Sequence, residues 1–380
     1  TRSQDRAHRK RRNCVLTRGL SIWLDALRVW ATIVVVFSHV AYPRFTRGDY
    51  IILRELNLGS DSVIVFFVIS GMVIAYAAGR DKNLSTYAFN RLTRLLSVLI
   101  PAVLLTFTFD QIGQNIGPEA YGSFYNPLPI GEMLFRGLSM SNEWGAFDRI
   151  RLGTNGPLWS LSYEAGYYVL FAVAFFLSGI RRVAVLALVC ILVGPRVLLL
   201  MPAWLMGVWL WNWVASGGPA RLQIGRARLF AFGGPALYVY CLWTGLPDSL
   251  AAVTAEAFAP SNYRIALAFS DEFVWNALLG LMTALHIMGM ARLLQSYQGN
   301  HPRIRWWAGA SFSIYVTHYP ALHLIDAIFP AETFVRDGLL VVGSITVGLI
   351  FAQIFERRIG SIRQSALMFH SILFSPAKRA

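Results

Sequence analysis

Charged residues are scarce in this chain, at 14% of 380 positions, and acidic ones are the scarcest, with 20 Asp and Glu against 34 Lys and Arg. A soluble domain carries about 25% charge. With 56% hydrophobic residues, the composition excludes an ordinary water-soluble fold. Cysteine is nearly missing. Cys14, Cys190 and Cys241 are scattered with no CxxC spacing, which argues against a disulfide framework or a zinc or redox motif. No Walker A or GxSxG motif occurs. His318 and His323 are five apart, which is not the helical i, i+4 spacing of a metal pair, so no metal is expected. The first apolar run lacks a short core ending in a small-residue cleavage site, so it does not read as a cleaved signal peptide. No internal repeat and no soluble domain at either end stand out.

What the chain has is long apolar stretches. They predict an all-α, polytopic integral membrane protein of about ten transmembrane helices. The spans fall at about 20–41, 61–78, 95–112, 157–177, 183–194, 197–215, 229–246, 272–291, 307–328 and 338–355. The fifth looks short, and its end at Gly194-Pro195 is indistinct. The tails at 1–18 and 357–380 are basic, and the transmembrane domain takes in 19–356. Its longest polar connection, about 113–156, has a candidate short helix at Ile130–Leu138. Ten spans put both termini on one side, with 24 of the 34 Lys and Arg on that side and nine on the other. By the positive-inside rule both termini are cytoplasmic and 113–156 is extracytoplasmic. The net charge of +14 therefore reads as a topology signal, secondarily suited to anionic lipids or a polyanionic substrate. It does not read as a nucleic-acid footprint.

The most informative span is Ser21–Tyr42, SIWLDALRVWATIVVVFSHVAY. It is apolar enough to cross a bilayer yet carries Asp25, Arg28 and His39. A charge at mid-membrane costs roughly 2.5–3.5 kcal/mol on insertion scales, which a mere anchor would avoid. Arg28 and His39 are eleven residues apart, about three helical turns, so they share one face about 16 Å apart along the axis. Asp25 lies one turn before Arg28 and can neutralise it. The stripe has a cation at the cytoplasmic end and a titratable imidazole at the outer end, suited to proton transfer.

Other polar residues stand out less sharply. Glu164, near the start of the fourth span, should face the protein interior, since a carboxylate in lipid is costly. Its expected role is to orient His39 and stabilise the imidazolium. Trp159, at that helix start, is equally suited to an interfacial anchor. Arg91 and Arg94, at i and i+3 before the third span, can clamp phosphates at the cytoplasmic surface. The Ser70-Gly71 pair suits close helix packing.

Six stretches in order resemble one family, the integral membrane acyltransferases of acyltransferase family 3. They are LDALR with VVVFSH, then VIVFFVISGMVI, RLTRLL, GPLWSLSYEAGYYVL, GASFSIYVTHYP and FERRIG with Glu356. The resemblance implies a ten-helix core in the bacterial inner membrane. It implies transfer of an acetyl or succinyl group from acyl-coenzyme A, as co-substrate and with no bound cofactor, to a hydroxyl of a cell-surface or exopolysaccharide sugar, free or lipid-linked. The essential Arg and His of the family map onto Arg28 and His39. Its WSL-x-x-E motif maps onto Trp159, Ser160, Leu161 and Glu164. Ser70 joins Arg28, Arg91 and Arg94 as a donor-side candidate. Asp25, Trp159, Ser160, Tyr163, Tyr315 and His318 are the acceptor-side or supporting candidates. Some relatives carry a fused extracytoplasmic hydrolase-like domain; none is read here, which points to direct transfer by the membrane domain. The competing class is a transporter or flippase for a lipid-linked saccharide, which the lack of paired repeats disfavours.

Overall fold

Apolar stretches with no water around them must satisfy every backbone N–H and C=O internally, and this chain does so with helices. The computed structural model describes residues 16–122, 125–258, 266–331 and 333–360. Most of both basic tails, and Cys14, lie outside these. Among the described residues there is no strand, only an isolated bridge between Leu152 and Asn155. The main helices are α1 (Arg18–Val40), α2 (Leu58–Ala78), α3 (Leu84–Ile116), α4 (Ile130–Leu138) and α5 (Trp159–Phe176). They continue with α6 (Gly179–Leu199), α7 (Met201–Ala215), α8 (Ile224–Trp243), α9 (Leu246–Ala257) and α10 (Phe273–Leu293). The last are α11 (Pro302–Ala308), α12 (Ser311–Ile328) and α13 (Phe334–Ile354).

Six of these, α1, α2, α3, α6, α10 and α13, are long and apolar enough to cross a membrane; the α8–α9 pair, bent by 67°, makes a seventh if it is one broken span. The chain is thus a multi-pass membrane protein. The other three expected spans coincide with α5, α7 and α12, of 18, 15 and 18 residues.

Three boundaries differ from expectation. The third helix begins at Leu84, because the Asn83 side chain accepts the Thr86 amide at 2.8 Å and caps it. Arg91 and Arg94 therefore lie on the helix and not in a loop. The fifth span is not short: α6 has 21 residues and kinks at Gly194, whose φ of 76° leaves the helical region. Pro195 removes an amide there. The carbonyls of Leu192 and Val193 accept instead from Ala146 and Gly145, at 3.0 and 2.9 Å. The ninth span is split by a break between α11 and α12. The helix expected in the long connection is α4, with the bounds anticipated.

Contacts divide the chain into two units. One takes in the chain up to Tyr87, Met140–Arg151 and Leu158–Ala308; the other takes in Ala88–Ser139, Leu152–Pro157 and the chain from Gly309 onward. In the first, α2 packs on α1, α7 and α10, and α10 packs on α7 and α8. Leu20 and Leu24 of α1, Val68 and Met72 of α2, Leu210 and Trp211 of α7, and Ala284 and Ile287 of α10 share one core. Lipid is as apolar as leucine, so fit rather than water exclusion holds these helices together. At Gly71 a Cβ would collide with the Trp204 carbonyl oxygen, and at Gly207 with that of Val68. The two backbones therefore touch, as the small residues beside Ser70 suggest. Buried Asp61, in the first turn of α2, accepts from Tyr238 Oη of α8 at 2.8 Å and Trp275 Nε1 of α10 at 2.9 Å. Both donors offset the cost of burying that carboxylate.

In the second unit α12 and α13 form a helical hairpin. Asp326 and Arg336 close it with a buried ion pair, and Arg336 Nε also donates to the Phe329 carbonyl at 3.1 Å. Glu356 returns from the far end of α13 to the start of α12, where Oε2 accepts from the amide and hydroxyl of Ser313 at 2.9 and 2.7 Å. The segment 152–157 is pinned by polar contacts. Asp110 accepts from the Thr154 amide and hydroxyl at 2.9 and 2.6 Å. Asn155 Nδ2 donates to Thr106 Oγ1 at 2.9 Å and to the Val316 carbonyl at 2.8 Å.

Candidate active site

The polar stripe lies on one unbroken helix. α1 starts at Arg18, with Thr17 as its cap, and continues to Val40. Apolar residues carry it past both charged positions. Asp25 and Arg28 pair across one turn at 3.8 Å, each side chain about a quarter exposed. His39 lies in the last turn, half-buried. Its ring stacks on Tyr42, with centroids 5.9 Å apart and planes within 19°.

Beyond α1 the chain makes two short helical turns, Pro43–Thr46 and Ile52–Glu55. These fold two arginines back over Tyr42. The guanidinium carbon of Arg44 lies 4.3 Å from the centre of the Tyr42 ring and that of Arg54 lies 4.0 Å from it. Arg54 also donates to Ser38 Oγ at 3.2 Å.

Glu164, expected to orient His39, has its hydrogen bonds elsewhere. Its Oε1 accepts from Ser70 Oγ, in a short contact, and from Tyr168 Oη at 2.7 Å. Ser70 in turn lies 3.3 Å from Trp204 Nε1 and 3.2 Å from Tyr168 Oη. An indole N–H only donates, so Trp204 occupies a Ser70 lone pair and leaves the Ser70 proton for Glu164. The reason is depth. Glu164 is the sixth residue of α5 and Ser70 the thirteenth of α2, so the carboxylate sits beside the middle of α2 rather than at its N-terminal end.

The remaining motif residues in this unit pack. Trp159 is 7% exposed, which makes it a core residue and not an interfacial anchor. It stacks on Phe269 at 4.3 Å and meets Tyr163 edge-on at 5.1 Å. Buried Tyr163 has the Ser270 hydroxyl 3.3 Å from its own. Ser160 is buried. Just ahead, Glu143 is buried and paired with Arg149 at 3.0 Å. Burial pushes its carboxyl above the usual range, against the opposing pull of Arg149, Arg196 and Arg151. Its amide donates to Ser162 Oγ at 3.1 Å, and Trp144 Nε1 donates to the Ser162 carbonyl at 2.9 Å.

The other candidates belong to the second unit. Arg91 and Arg94 sit one turn apart on α3, both half-buried. Tyr315 Oη donates to the Pro157 carbonyl at 2.9 Å. His318 is fully buried, with Nδ1 2.8 Å from the Tyr315 carbonyl and 3.0 Å from that of Ile314. Those distances are the pattern of a histidine bonded within its own helix. Among the described residues no three His, Cys, Asp or Glu side chains converge as a metal site would require.

Sequence reasoning missed Tyr168, Trp204, Tyr42 and Arg54. Tyr168 had a signal, its i+4 spacing from Glu164. Trp204 is 134 positions from Ser70, so no local pattern pointed to it.

A family model described as "Acyltransferase domain" matches residues 21–353. Acyltransferase MdmB of Streptomyces mycarofaciens is 32% identical over 154 residues, 39% of this chain and 37% of that protein. The O-acetyl transferase of Shigella phage Sf6 is 29% identical over 154 residues, 40% of this chain and 44% of that protein. Peptidoglycan O-acetyltransferase OatA of Listeria monocytogenes serovar 1/2a is 23% identical over 342 residues, 80% of this chain and 50% of that protein. The chain spans half or less of the length of each of these relatives. No solved structure matches it significantly.

Proposed function

The chain belongs to acyltransferase family 3, and from that premise we propose that it is a bacterial inner-membrane O-acyltransferase. It moves an acetyl or succinyl group from acyl-coenzyme A to a hydroxyl of a cell-surface or exopolysaccharide sugar. The observation that carries this reading is the placement of Arg28 and His39 on one face of a single unbroken helix, about 16 Å apart. That separation is comparable with an extended pantetheine arm.

The donor enters from the cytoplasmic side. The arm threads inward past Arg28, whose charge Asp25 tempers. At the outer end His39 takes the proton of a sugar hydroxyl as its oxygen attacks the thioester carbonyl. The tetrahedral adduct collapses with loss of the coenzyme A thiolate, and the imidazolium returns the proton to the sulfur. Ten spans with both termini cytoplasmic suit this route, since the donor is cytoplasmic and the acceptor faces outward. Glu164 acts apart from His39. Its hydrogen bonds among the described residues fall on Oε1, which leaves Oε2 to accept from a substrate hydroxyl or amide.

The test is release of coenzyme A thiol by purified protein given acetyl- or succinyl-coenzyme A and a crude exopolysaccharide. Wild type should release thiol. His39→Ala should lose about 10²-fold or more, the usual contribution of a general base, while still binding donor. Equal rates for the two would remove His39 from the mechanism. No release with either donor would overturn the acyltransferase reading.

A further inference from the structure

The cationic and aromatic cluster at the outer end of α1 has no part in moving the proton or docking the nucleotide. Tyr42 stacks on His39 at 5.9 Å, and the two guanidiniums lie 4.0 and 4.3 Å from the Tyr42 ring centre. These distances bound from above how far either cation stands from the imidazole. A ligand a few bonds long, with one end at His39, reaches them.

The loop is built to hold Arg54 there. Thr46 Oγ1 donates to the Val40 carbonyl at 3.1 Å, and Phe45 is fully buried. Arg47 and Asn57 turn the chain in the left-handed region, at φ of 52° and 49°. Asn57 Nδ2 is tied to Glu272 at 2.7 Å. Arg54 spends one nitrogen on Ser38 and lays its plane near Tyr42, yet has no carboxylate partner among the described residues. A half-buried guanidinium beside a reacting centre is strongly matched to a carboxylate, which takes two parallel N–H bonds from it.

We propose that Arg54, with Arg44 and Tyr42, forms a carboxylate-binding subsite beside His39 that holds an anionic group of one reactant. The carboxylate is carried either at the far end of a dicarboxylic acyl group, such as succinyl, or on an acidic sugar of the acceptor. A neutral acyl group on a neutral sugar leaves the subsite unused. This assignment rests on the acyltransferase reading above.

The experiment measures thiol release for four pairs: acetyl- or succinyl-coenzyme A, each with a neutral glucan or a uronic-acid polysaccharide. Wild type should favour one carboxylate-bearing reactant at least tenfold in kcat/KM over the neutral pair, and which one identifies the source. Arg54→Gln should cut that preference tenfold or more, chiefly through KM, and Arg54→Lys should restore part of it. A structural role alone would lower all four rates together and lower the thermal midpoint of the donor-free protein. That result would overturn the subsite, as would a wild type with no preference. Release of thiol from any pair upholds the parent reading in either case. Silence from all four overturns the parent reading and the subsite with it.

Discussion

Single hydrogen bonds decide what Glu164 can do. Ser70 and Tyr168 both donate to Oε1, and Trp204 fixes the direction of the Ser70 proton. Hydrogen bonds to a charged group contribute about 1.5–3 kcal/mol. Tyr168→Phe should therefore lower thiol release by about 10- to 100-fold if Glu164 acts as a carboxylate on substrate. In a Glu164→Gln background the same change should cost much less, because the two residues act through one group. Additive losses in that cycle would separate Tyr168 from Glu164. Glu143 offers a pH test. Its native carboxyl is raised by burial. Between the ordinary glutamate value, about 4.3, and that raised value, the native chain holds a proton the unfolded chain has lost. Stability must therefore fall as pH rises through the window. The thermal midpoint of detergent-purified wild type should decline there, and that of Glu143→Gln should lack the slope. A parallel decline in both would assign the effect to other groups. Of these residues the sequence exposed Glu164, because a carboxylate in an apolar run is conspicuous. It hid the partners, because hydroxyls and an indole on other helices look like ordinary membrane residues.

Elements show the same division. The ten apolar stretches are helical, the ninth with a break near its start, since apolar surroundings leave the backbone no alternative. The ends were less legible, because they depend on contacts remote in sequence. Gly194 kinks α6 where Gly145 and Ala146 take over its carbonyls, and nothing within the span announces those partners. The start of α12 is a sharper case. Ser313 is in its first turn, whose amides have no partner inside the helix. Glu356, 43 positions on, accepts both the amide and the hydroxyl. The sequence marked Glu356 only as part of a matched motif. Glu356→Ala should leave a buried N–H unsatisfied, at a cost of about 1–3 kcal/mol. Hydrogen exchange should then quicken at residues 311–314 while the middle of α12 stays protected. Glu356→Gln, which keeps an acceptor oxygen, should recover part of that protection. Unchanged exchange in the Ala variant would show that Glu356 is not what holds the end of α12.

At the scale of the whole molecule the argument turns on charge. A basic residue on the wrong side of the membrane must be carried across during insertion, so the arrangement that keeps 24 of 34 cations on one side is the one insertion favours. Length and hydropathy alone support six or seven spans. The further three, α5, α7 and α12, are more polar or shorter. α5 carries Glu164 and α12 carries His318, and each residue would be costly toward lipid. The features that weaken each as a hydropathy signal also favour turning that residue away from lipid. The expected ten spans make the orientation testable. In a background with Cys14, Cys190 and Cys241 replaced by Ser, Asn126→Cys lies in the long connection after α3 and Gln223→Cys lies between α7 and α8. A membrane-impermeant maleimide should label Asn126→Cys in spheroplasts, and Gln223→Cys only after the membrane is opened. The reverse pattern would invert the topology. His39 would then stand on the cytoplasmic side, the donor would no longer have to cross the bundle, and the spacing between Arg28 and His39 would lose its meaning as the length of a pantetheine arm.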